Sequence, residues 1–299
     1  MPRPARHSHR PGRLRAAALC AAALPVLLGA CTATPAPGAP APDAPQPHAA
    51  ATPAPVSYAM PADAVSLVLP TTGEGTRWTQ GLDAFGRLAA AWAVDGCARR
   101  LGVPVPDSPP PMFTRYSGLP DLDFLDAHGF GGGTAVPGTP PATRPTTDPS
   151  ARLGPEPRRC LAEGRAVGRE LAAVYARLQS GWFAEVASVD RAPAVRQAYA
   201  GLGDCLAAHQ VNARDEAAFL TLVDQRLQAA DTTAARGLGS VYATCMKPVE
   251  AAREPLRAKA AAAFRVSNSA EITRVRSELP QKIDELEKRY RIRISFPTT

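Results

Sequence analysis

Residues 160–182 read CLAEGRAVGRELAAVYARLQSGW, and this stretch decides the fold class. Its large apolar side chains recur every three or four positions, at Cys160, Val167, Leu171, Val174, Leu178 and Trp182. This spacing places them on one face of an α-helix, which has to pack against another element to bury that face. We therefore predict a long amphipathic helix from Glu156 to Ala187, with Gly181 as a candidate break.

The same spacing recurs on both sides of this helix. It predicts one helix before this stretch, from Arg77 to Leu101, and four after it. The first of the four is capped by Asp190 and has Val195 to His209 on one face, and the second runs from Arg214 to Ala229. The third is capped by Asp231 or Thr232, and the last runs from Asn268 or Ser269 to Tyr290. Pro248 and Pro255 should kink or split the fifth helix, and Pro280 should bend the last, because proline removes a backbone donor. Strand-like alternation is absent from the sequence, so we predict an all-α bundle of about five to six helices.

Two segments lack the helical period. The sequence VSLVL at residues 65–69 lies between prolines and predicts a short strand or a strap over the core. Residues 103–155 are rich in proline and glycine, and Pro120 at a first helical position and Gly129 bracket one short predicted helix within them. From about residue 131 to residue 155 the composition predicts a disordered insert.

Three acids in the short helix allow two interpretations. Asp121, Asp123 and Asp126 suit the positive end of a helix, or they could be ligands of a calcium ion. Their spacing lacks the glycine and the distal glutamate of an EF-hand loop, so we predict no metal site there.

The N-terminus has the pattern of an export signal. Five arginines and no acid precede an uncharged apolar run from Ala16 to Ala30, which is shorter than the roughly 20 residues that span a bilayer. The end of this run and the residue after it, Leu28-Gly29-Ala30-Cys31, resemble the lipobox of bacterial lipoproteins. That resemblance implies removal of residues 1–30 and lipidation of Cys31, which would anchor the protein at the extracytoplasmic face of the cell membrane. The alternative is a chance cysteine after an ordinary cleavage site.

The segment after Cys31 has the composition of a spacer. Residues 31–62 consist mainly of proline, alanine and threonine, and they offer too little apolar surface to offset the entropy of ordering. We predict a disordered Pro/Ala-rich tether of roughly 3 Å per residue, followed by a helical domain at residues 63–299.

The charge of the whole chain overstates that of the mature protein. The sequence has 34 Lys and Arg against 27 Asp and Glu, a net charge of +7. Removing the five arginines of the predicted signal leaves 29 against 27, or about +2. No basic stripe remains that could neutralise many phosphates, so we predict no nucleic-acid partner.

The cysteines predict a disulfide framework. Of six cysteines, Cys20 lies in the signal and Cys31 is the predicted lipid site, which leaves an even number for an exported chain. The remaining four allow three connectivities, and we favour Cys97–Cys160 and Cys205–Cys245. Closing the second loop of about 40 residues is worth roughly 3–4 kcal/mol in the chain-entropy model. A zinc site is disfavoured because no C-x-x-C exists and His48, His128 and His209 are scattered.

Short motifs around these cysteines carry a wider resemblance. They are Cys97-Ala98-Arg99-Arg100-Leu101-Gly102, Arg115-Tyr116, Cys160-Leu161-Ala162-Glu163, Cys205-Leu206-Ala207-Ala208 and Cys245-Met246-Lys247. Across residues 76 to 290 the chain resembles secreted, mostly uncharacterised helical proteins and lipoproteins of high-GC Gram-positive bacteria. The resemblance implies an exported four-cysteine helical domain and brings no activity or catalytic residue with it. The insert at 134–155 departs from that group.

The sequence favours a binding role over a catalytic one. No G-x-S-x-G, S-x-x-K or H-E-x-x-H motif is present, and Gly237-Leu238-Gly239-Ser240 lacks the second flanking glycine at the required place. A serine hydrolase would need His128 or His209 as its base, and we expect a structural role for both. We predict no catalytic residues and no cofactor.

Two functions stay open at this stage. The first is a non-catalytic binding or accessory module that engages an envelope protein, an envelope polymer or a small ligand. The second is a structural or assembly subunit of an exported complex such as a transporter. The charged helix over Glu271–Arg293 discriminates between them, because it packs either on a partner or within its own chain.

Overall fold

The computed structural model describes residues 55–105, 113, 118–130, 136–140, 154–229 and 231–298. The predicted signal at residues 1–30, the predicted lipid site Cys31 and the tether up to residue 54 lie outside the described residues. So do residues 131–135 and 141–153 of the predicted insert. The described part is almost entirely helical, which confirms the all-α class.

The described residues contain eight α-helices, more than the sequence predicted. They are α1 (Gly73–Leu101), α2 (Leu122–His128), α3 (Pro155–Val189), α4 (Pro193–Ala200), α5 (Leu202–Ala208), α6 (Glu216–Gln228), α7 (Thr232–Ser267) and α8 (Ser269–Tyr290). The two-residue strands β1 (Val56–Ser57) and β2 (Phe296–Pro297) pair antiparallel. The higher number arises because Gly201 separates α4 from α5 and because α2 is a separate short helix.

Three candidate break points lie inside continuous helices. Helix α3 continues through Gly181, and α7 remains one helix across Pro248 and Pro255, so these prolines do not split it, and the kink stays a prediction. Helix α7 packs against α2, α3, α4, α5 and α6 along its length. Such tertiary packing overrides the unfavourable propensity of a proline inside a helix.

Two predicted helix starts are also displaced. Asp190 is the C-cap of α3 and not the N-cap of the next helix. That helix begins at Pro193, whose fixed φ suits a first helical position. Pro120 precedes α2, whose N-cap is Asp121 with its carboxylate accepting from the Phe124 N–H at 3.0 Å. The Asp190 carboxylate instead accepts from the Arg253 Nε at 2.8 Å.

The first core is formed by the apolar faces of α1, α3 and α8. The segment predicted as a strand or strap joins it as a 3₁₀ helix at Ala64–Leu67, capped by Asp63, whose carboxylate accepts from the Val65 N–H at 3.1 Å. Val65 and Leu67 of this helix are fully buried against that core.

The second core lies between α2, α4, α5, α6 and α7. Its centre is an aromatic group in which Phe130 meets Tyr242 edge-on at 5.4 Å and Phe219 stacks on Tyr242 at 5.3 Å. Helix α2 lies very close to α7, because a Cβ on Gly239 would come within 2.4 Å of the Leu125 carbonyl oxygen. This approach fixes the position of α2 and therefore of the acids at its start.

Parts of both segments predicted to be disordered belong to the folded domain. Val56–Ser57 lies in the tether interval but pairs with Phe296–Pro297 as β1 with β2. Val136 lies in the insert interval but is buried in the first core, and the Gly138 carbonyl accepts from the Trp92 indole N–H at 2.7 Å. Both segments are rich in proline and lack the helical period, so the sequence carries no periodic signal at their anchoring points.

The two disulfides are the predicted pairs. Cys97–Cys160 joins α1 to α3 with a Cα–Cα distance of 5.3 Å, and Cys205–Cys245 joins α5 to α7 at 5.7 Å. Each therefore links two helices of the same core.

Helix α8 packs within its own chain. Its apolar side chains at Ile272, Val275, Leu279, Ile283 and Leu286 are all buried. Along its edge, the Lys282 ammonium pairs with the Glu170 carboxylate of α3 at 2.6 Å. None of the described helices combines the length and the apolar composition needed to cross a bilayer.

Candidate ligand-binding cleft

A cleft of about 230 Å³ opens where the starts of α1 and α2 face the middle of α7. It is lined by Thr72, Gly73, Glu74, Pro120, Asp121, Leu122, Asp123, Glu250, Glu254 and Arg257. Five of these side chains are carboxylates and one is a guanidinium, so the lining is strongly acidic around a single cation.

Local contacts hold the α1 side of the cleft. Thr72 caps α1, since its hydroxyl oxygen accepts from the Gly75 N–H at 3.1 Å. Gly73 lies against the preceding loop so closely that a Cβ there would come within 2.2 Å of the Pro120 carbonyl oxygen. The Thr76 hydroxyl donates to the Leu119 carbonyl at 2.7 Å, which ties the loop before α2 to the first turns of α1.

Polar contacts fix α2 against α7 on the opposite side. The Ser240 hydroxyl donates to the Asp126 carboxylate at 2.6 Å, and an Arg236 N–H donates to the Ala127 carbonyl at 3.1 Å. Asp126 is therefore bonded to α7 and does not join Asp121 and Asp123 in a shared ligand set. This placement agrees with the helix interpretation of the three acids.

Helix α7 contributes the third wall through one of its faces. Glu250, Glu254 and Arg257 are four and three positions apart, a spacing that aligns side chains along one side of a helix. Glu254 is exposed, whereas Arg257 is only 2% exposed.

Arg257 is the unusual member of the lining. One of its N–H groups, at Nη2, donates to the Glu250 carboxylate, but the buried Nε and Nη1 have no hydrogen-bond partner among the residues that the structure describes. A buried donor without a partner is costly and is rare in folded proteins. Arg257 is therefore held in the interior mainly through its pair with Glu250, and it bears the cost of two buried N–H groups.

A network of polar side chains is connected to Arg257 through Glu250. Glu250 also accepts from the Arg253 Nη1 at 2.6 Å, and Arg253 in turn donates to Asp190 and to the Tyr199 hydroxyl. The Arg253 guanidinium lies over the Tyr199 ring at 5.0 Å. Because Glu250 is bonded to two arginines, its own charge is already compensated.

The far end of this network is a pair of tyrosines on one carboxylate. Tyr199 donates to Glu216 at 2.7 Å, and Tyr242 donates to the other oxygen of Glu216. Burial, followed by the negative charge of Glu216, raises the pKa of both tyrosine hydroxyls well above the usual range. Both hydroxyls stay protonated at neutral pH and act as structural donors.

The acids at the start of α2 differ in their surroundings. Burial raises the pKa of the Asp121 carboxyl, and the nearby Asp123 carboxylate adds to that effect, while the hydrogen bond from the Phe124 N–H opposes it. Asp123 is exposed and has no ion-pair partner among the residues that the structure describes, and the same holds for Glu254 on α7.

Among the described residues, no three carboxylates of the cleft bring their oxygen atoms within 4.8 Å of one another. Within the described ranges, the group of three ligand-type residues whose donor atoms lie within 4.8 Å of one another is Cys205, His209 and Cys245. The two sulfurs of that group are joined in a disulfide and are not thiolates. The cleft is thus suited to a ligand that spans several charged groups.

The candidate histidines do not form a hydrolytic site with Ser240. The Ser240 hydroxyl is bonded to Asp126, and His128 packs on the Phe124 ring at 4.7 Å at the end of α2. His209 caps α5 and is exposed, so its predicted position on a core-facing stripe is wrong. The stripe ends early because the helix ends at Ala208.

Sequence reasoning missed the arginines of α7, although a signal was present. The buried apolar stripe at Tyr242, Met246 and Val249 continues in register into Arg253 and Arg257. Arginine in the register of a core stripe indicates a buried, paired charge.

No family model, curated protein or solved structure matches this chain. We therefore interpret the cleft from its own geometry and charge.

Proposed function

We propose that this protein is a non-catalytic binding module of the cell envelope, anchored to the outer face of the membrane through a lipid on Cys31. The cleft between α1, α2 and α7 is its ligand-binding site. The observation that carries this proposal is the lining of the cleft, which has five carboxylates around the buried guanidinium of Arg257. Asp123 and Glu254 are exposed and have no ion-pair partner among the described residues, so their charges are available to a ligand.

Two further features support the extracytoplasmic location. Both disulfides close long loops within the helical domain, and disulfides of this type persist in oxidising compartments. The sequence before Cys31 resembles a lipoprotein signal, and the four-cysteine motifs resemble those of exported proteins of high-GC Gram-positive bacteria.

The alternative role as a structural or assembly subunit loses its strongest support. That role rested on α8 as a surface for a partner, but the apolar face of α8 is buried against α1 and α3. What α8 presents outward is a row of charges paired with each other, for example Lys288 with Asp284 at 2.6 Å.

A ligand screen tests the proposed binding site. The purified full-length protein is melted in the presence of organic cations, organic anions, neutral sugars and metal ions. A ligand at 100 times its Kd stabilises the folded state by about 2.7 kcal/mol, which a melting curve detects easily. We expect saturable stabilisation by at least one class of compound.

Charge-neutral variants show whether such a ligand occupies the cleft. Asp123→Asn combined with Glu254→Gln should weaken the stabilisation by a cationic ligand and strengthen that by an anionic one, because two exposed negative charges are lost from the cleft. Glu185→Gln is the matched control, since Glu185 is an exposed acid on α3 outside the cleft lining. Stabilisation by a charged ligand that is the same in the double variant and in the wild type contradicts the proposed site.

A further inference from the structure

His209 lies beside the Cys205–Cys245 disulfide. The two sulfur atoms and a ring nitrogen of His209 all lie within 4.8 Å of one another. Cys205 and His209 are one helical turn apart on α5 and its cap, and Cys245 of α7 has its Cα 5.7 Å from that of Cys205. Three donor atoms of the types that bind zinc therefore converge from two helices.

The backbone holds His209 in this position. Its N–H donates to the Cys205 carbonyl at 3.2 Å and to the Leu206 carbonyl at 3.1 Å. The chain then turns through Gln210, whose φ of 60° lies in the left-handed region, and the Val211 N–H donates to the Leu206 carbonyl at 2.9 Å. Val211 is buried in the second core, so packing and hydrogen bonds together fix the turn that carries His209.

The His209 imidazole is available to a ligand. The side chain is exposed, and its ring makes no hydrogen bond or ion pair with another residue that the structure describes. Cys205 is partly exposed, whereas Cys245 is 2% exposed and belongs to the second core. The group of three donors is therefore open to solvent on the side of His209 and closed by the core on the other.

The other disulfide has no such neighbour. Cys97 and Cys160 are 1% and 0% exposed, and they pack in a small apolar cluster with Ala98 and Val105. Within the described ranges, no histidine or carboxylate joins their sulfurs in a group of three donors within 4.8 Å of one another. This bridge is therefore an internal control for the chemistry at Cys205 and Cys245.

We propose that reduction of the Cys205–Cys245 bridge turns this group into a binding site for Zn²⁺. A dithiol reductant supplies two electrons and two protons, the S–S bond breaks, and the reductant leaves as its own disulfide. Zn²⁺ then displaces the protons of the two thiols and binds both sulfurs and the neutral His209 imidazole, so two protons are released. The fourth position of the tetrahedron is open to water.

Small movements are enough to form this site. Two sulfurs that are each about 2.3 Å from a tetrahedral zinc ion lie about 3.8 Å apart. Rotation of the two cysteine side chains provides this separation at a Cα–Cα distance of 5.7 Å. Leu202 and Leu206 hold α5 in the second core, so the two cysteines stay close after the bond breaks. The site does not involve the cleft between α1, α2 and α7, so it is independent of the proposed function.

Metal titration of the purified full-length protein tests the site. A phosphine reduces the protein under argon, gel filtration removes the phosphine, and a thiol assay and circular dichroism then measure the open bridge and the remaining helicity. Co²⁺ is the first probe, because tetrahedral binding to thiolates gives it a characteristic absorption spectrum, and Zn²⁺ is the second. We expect one Co²⁺ per reduced chain, its displacement by one Zn²⁺, and no binding of either ion to the oxidised protein.

Three variants test the ligands. His209→Ala should weaken Zn²⁺ binding at least about 100-fold, because loss of a ligand should cost more than loss of a residue that only orients one. His48→Ala is the matched control, since it makes the same change in the predicted tether, and it should bind Zn²⁺ like the wild type. Cys97→Ala combined with Cys160→Ala removes the other two thiols and should still bind one Zn²⁺ per chain.

The outcomes decide between a zinc site and a disulfide with an adjacent histidine. Zn²⁺ affinity that is the same in His209→Ala and in the wild type overturns the proposal, and so does tight binding by the oxidised protein. Loss of binding in the Cys97 and Cys160 double variant, with its helicity retained, places the metal at the wrong cysteines and also overturns it. If reduction lowers the helicity, recovery on addition of Zn²⁺ supports the site, and failure to recover contradicts it.

Discussion

The indole N–H of Trp182 donates to the carbonyl oxygen of Pro70 across 2.7 Å in the buried interior. These residues are 112 positions apart in the chain. Their bond ties the segment before α1 to the C-terminal part of α3. It explains how a stretch without helical periodicity becomes part of the first core.

Replacing Trp182 by Phe should destabilise the protein by about 1–3 kcal/mol, since the Pro70 carbonyl loses its partner inside the protein. The free energy of unfolding from urea denaturation measures this effect. Trp92→Phe is the matched control, because the Trp92 indole donates to the Gly138 carbonyl at an exposed site where water can replace the lost bond. A larger loss in Trp92→Phe than in Trp182→Phe contradicts the assignment.

Replacing Cys205 and Cys245 together by Ala should cost about 2–5 kcal/mol of stability, because the bridge restrains the unfolded chain and links α5 to α7. The folded, non-reduced protein should also show no free thiol at Cys97, Cys160, Cys205 or Cys245 in a thiol assay. Two or more reactive thiols in that sample would contradict the pairing.

Val136→Ala should destabilise the protein by about 2 kcal/mol, because Val136 is 3% exposed and packs on the first core. Val266→Ala makes the same change at a site that is 79% exposed, and it should stay within about 0.5 kcal/mol of the wild type. Thermal and urea denaturation of the two variants measure the difference. Similar stabilities would mean that residues 136–140 are not part of the folded domain.

Relative to the wild type, Asp121→Asn should have a more favourable effect on the free energy of unfolding at pH 7 than at pH 3.5. Burial raises the pKa of Asp121 above its ordinary value of 3.8, so the folded state holds the proton more tightly than the unfolded state. The stability from that proton is complete below the unfolded pKa and is lost as the pH rises through the folded pKa. Asn keeps an acceptor for capping α2 but carries no charge to bury. Urea denaturation between pH 3.5 and pH 7 tests this dependence.

Asp215→Asn provides a control of opposite sign. Asp215 caps α6, and the hydrogen bond from the Ala218 N–H lowers the pKa of its carboxyl below 3.8. The ionised Asp215 carboxylate stabilises the folded state above the unfolded pKa, and this stabilisation is lost as the pH falls through the folded pKa. The effect of Asp215→Asn on the free energy of unfolding should therefore be less favourable at pH 7 than at low pH. The same sign in both variants would contradict burial as the cause at Asp121.

Cys31→Ser should release the protein from the membrane or leave its signal uncleaved, because the proposed lipid is its anchor. Fractionation of cells into membrane and soluble pools, with immunodetection of the protein, measures the change. Cys20→Ser is the matched control and should fractionate like the wild type. A processed Cys31→Ser protein that stays with the membrane would contradict the lipid anchor.

The sequence by itself determined most of the helices and the class of the fold. The three-four spacing from Cys160 to Trp182 is a local pattern, and the helix it predicts is α3. Capping is local as well, so Asp231 correctly marks the start of α7. The even number of cysteines in periodic segments led to the two disulfides that the structure contains.

The tertiary structure alone decided the candidate site. Asp123 and Arg257 are far apart in the chain, and they line one cleft because Gly239 allows α2 to lie directly on α7. Spacing in a sequence reports which residues share a helix face but not which faces meet. The burial of Arg257 depends on how α2 and α7 pack, because a side chain is desolvated only when another element covers it.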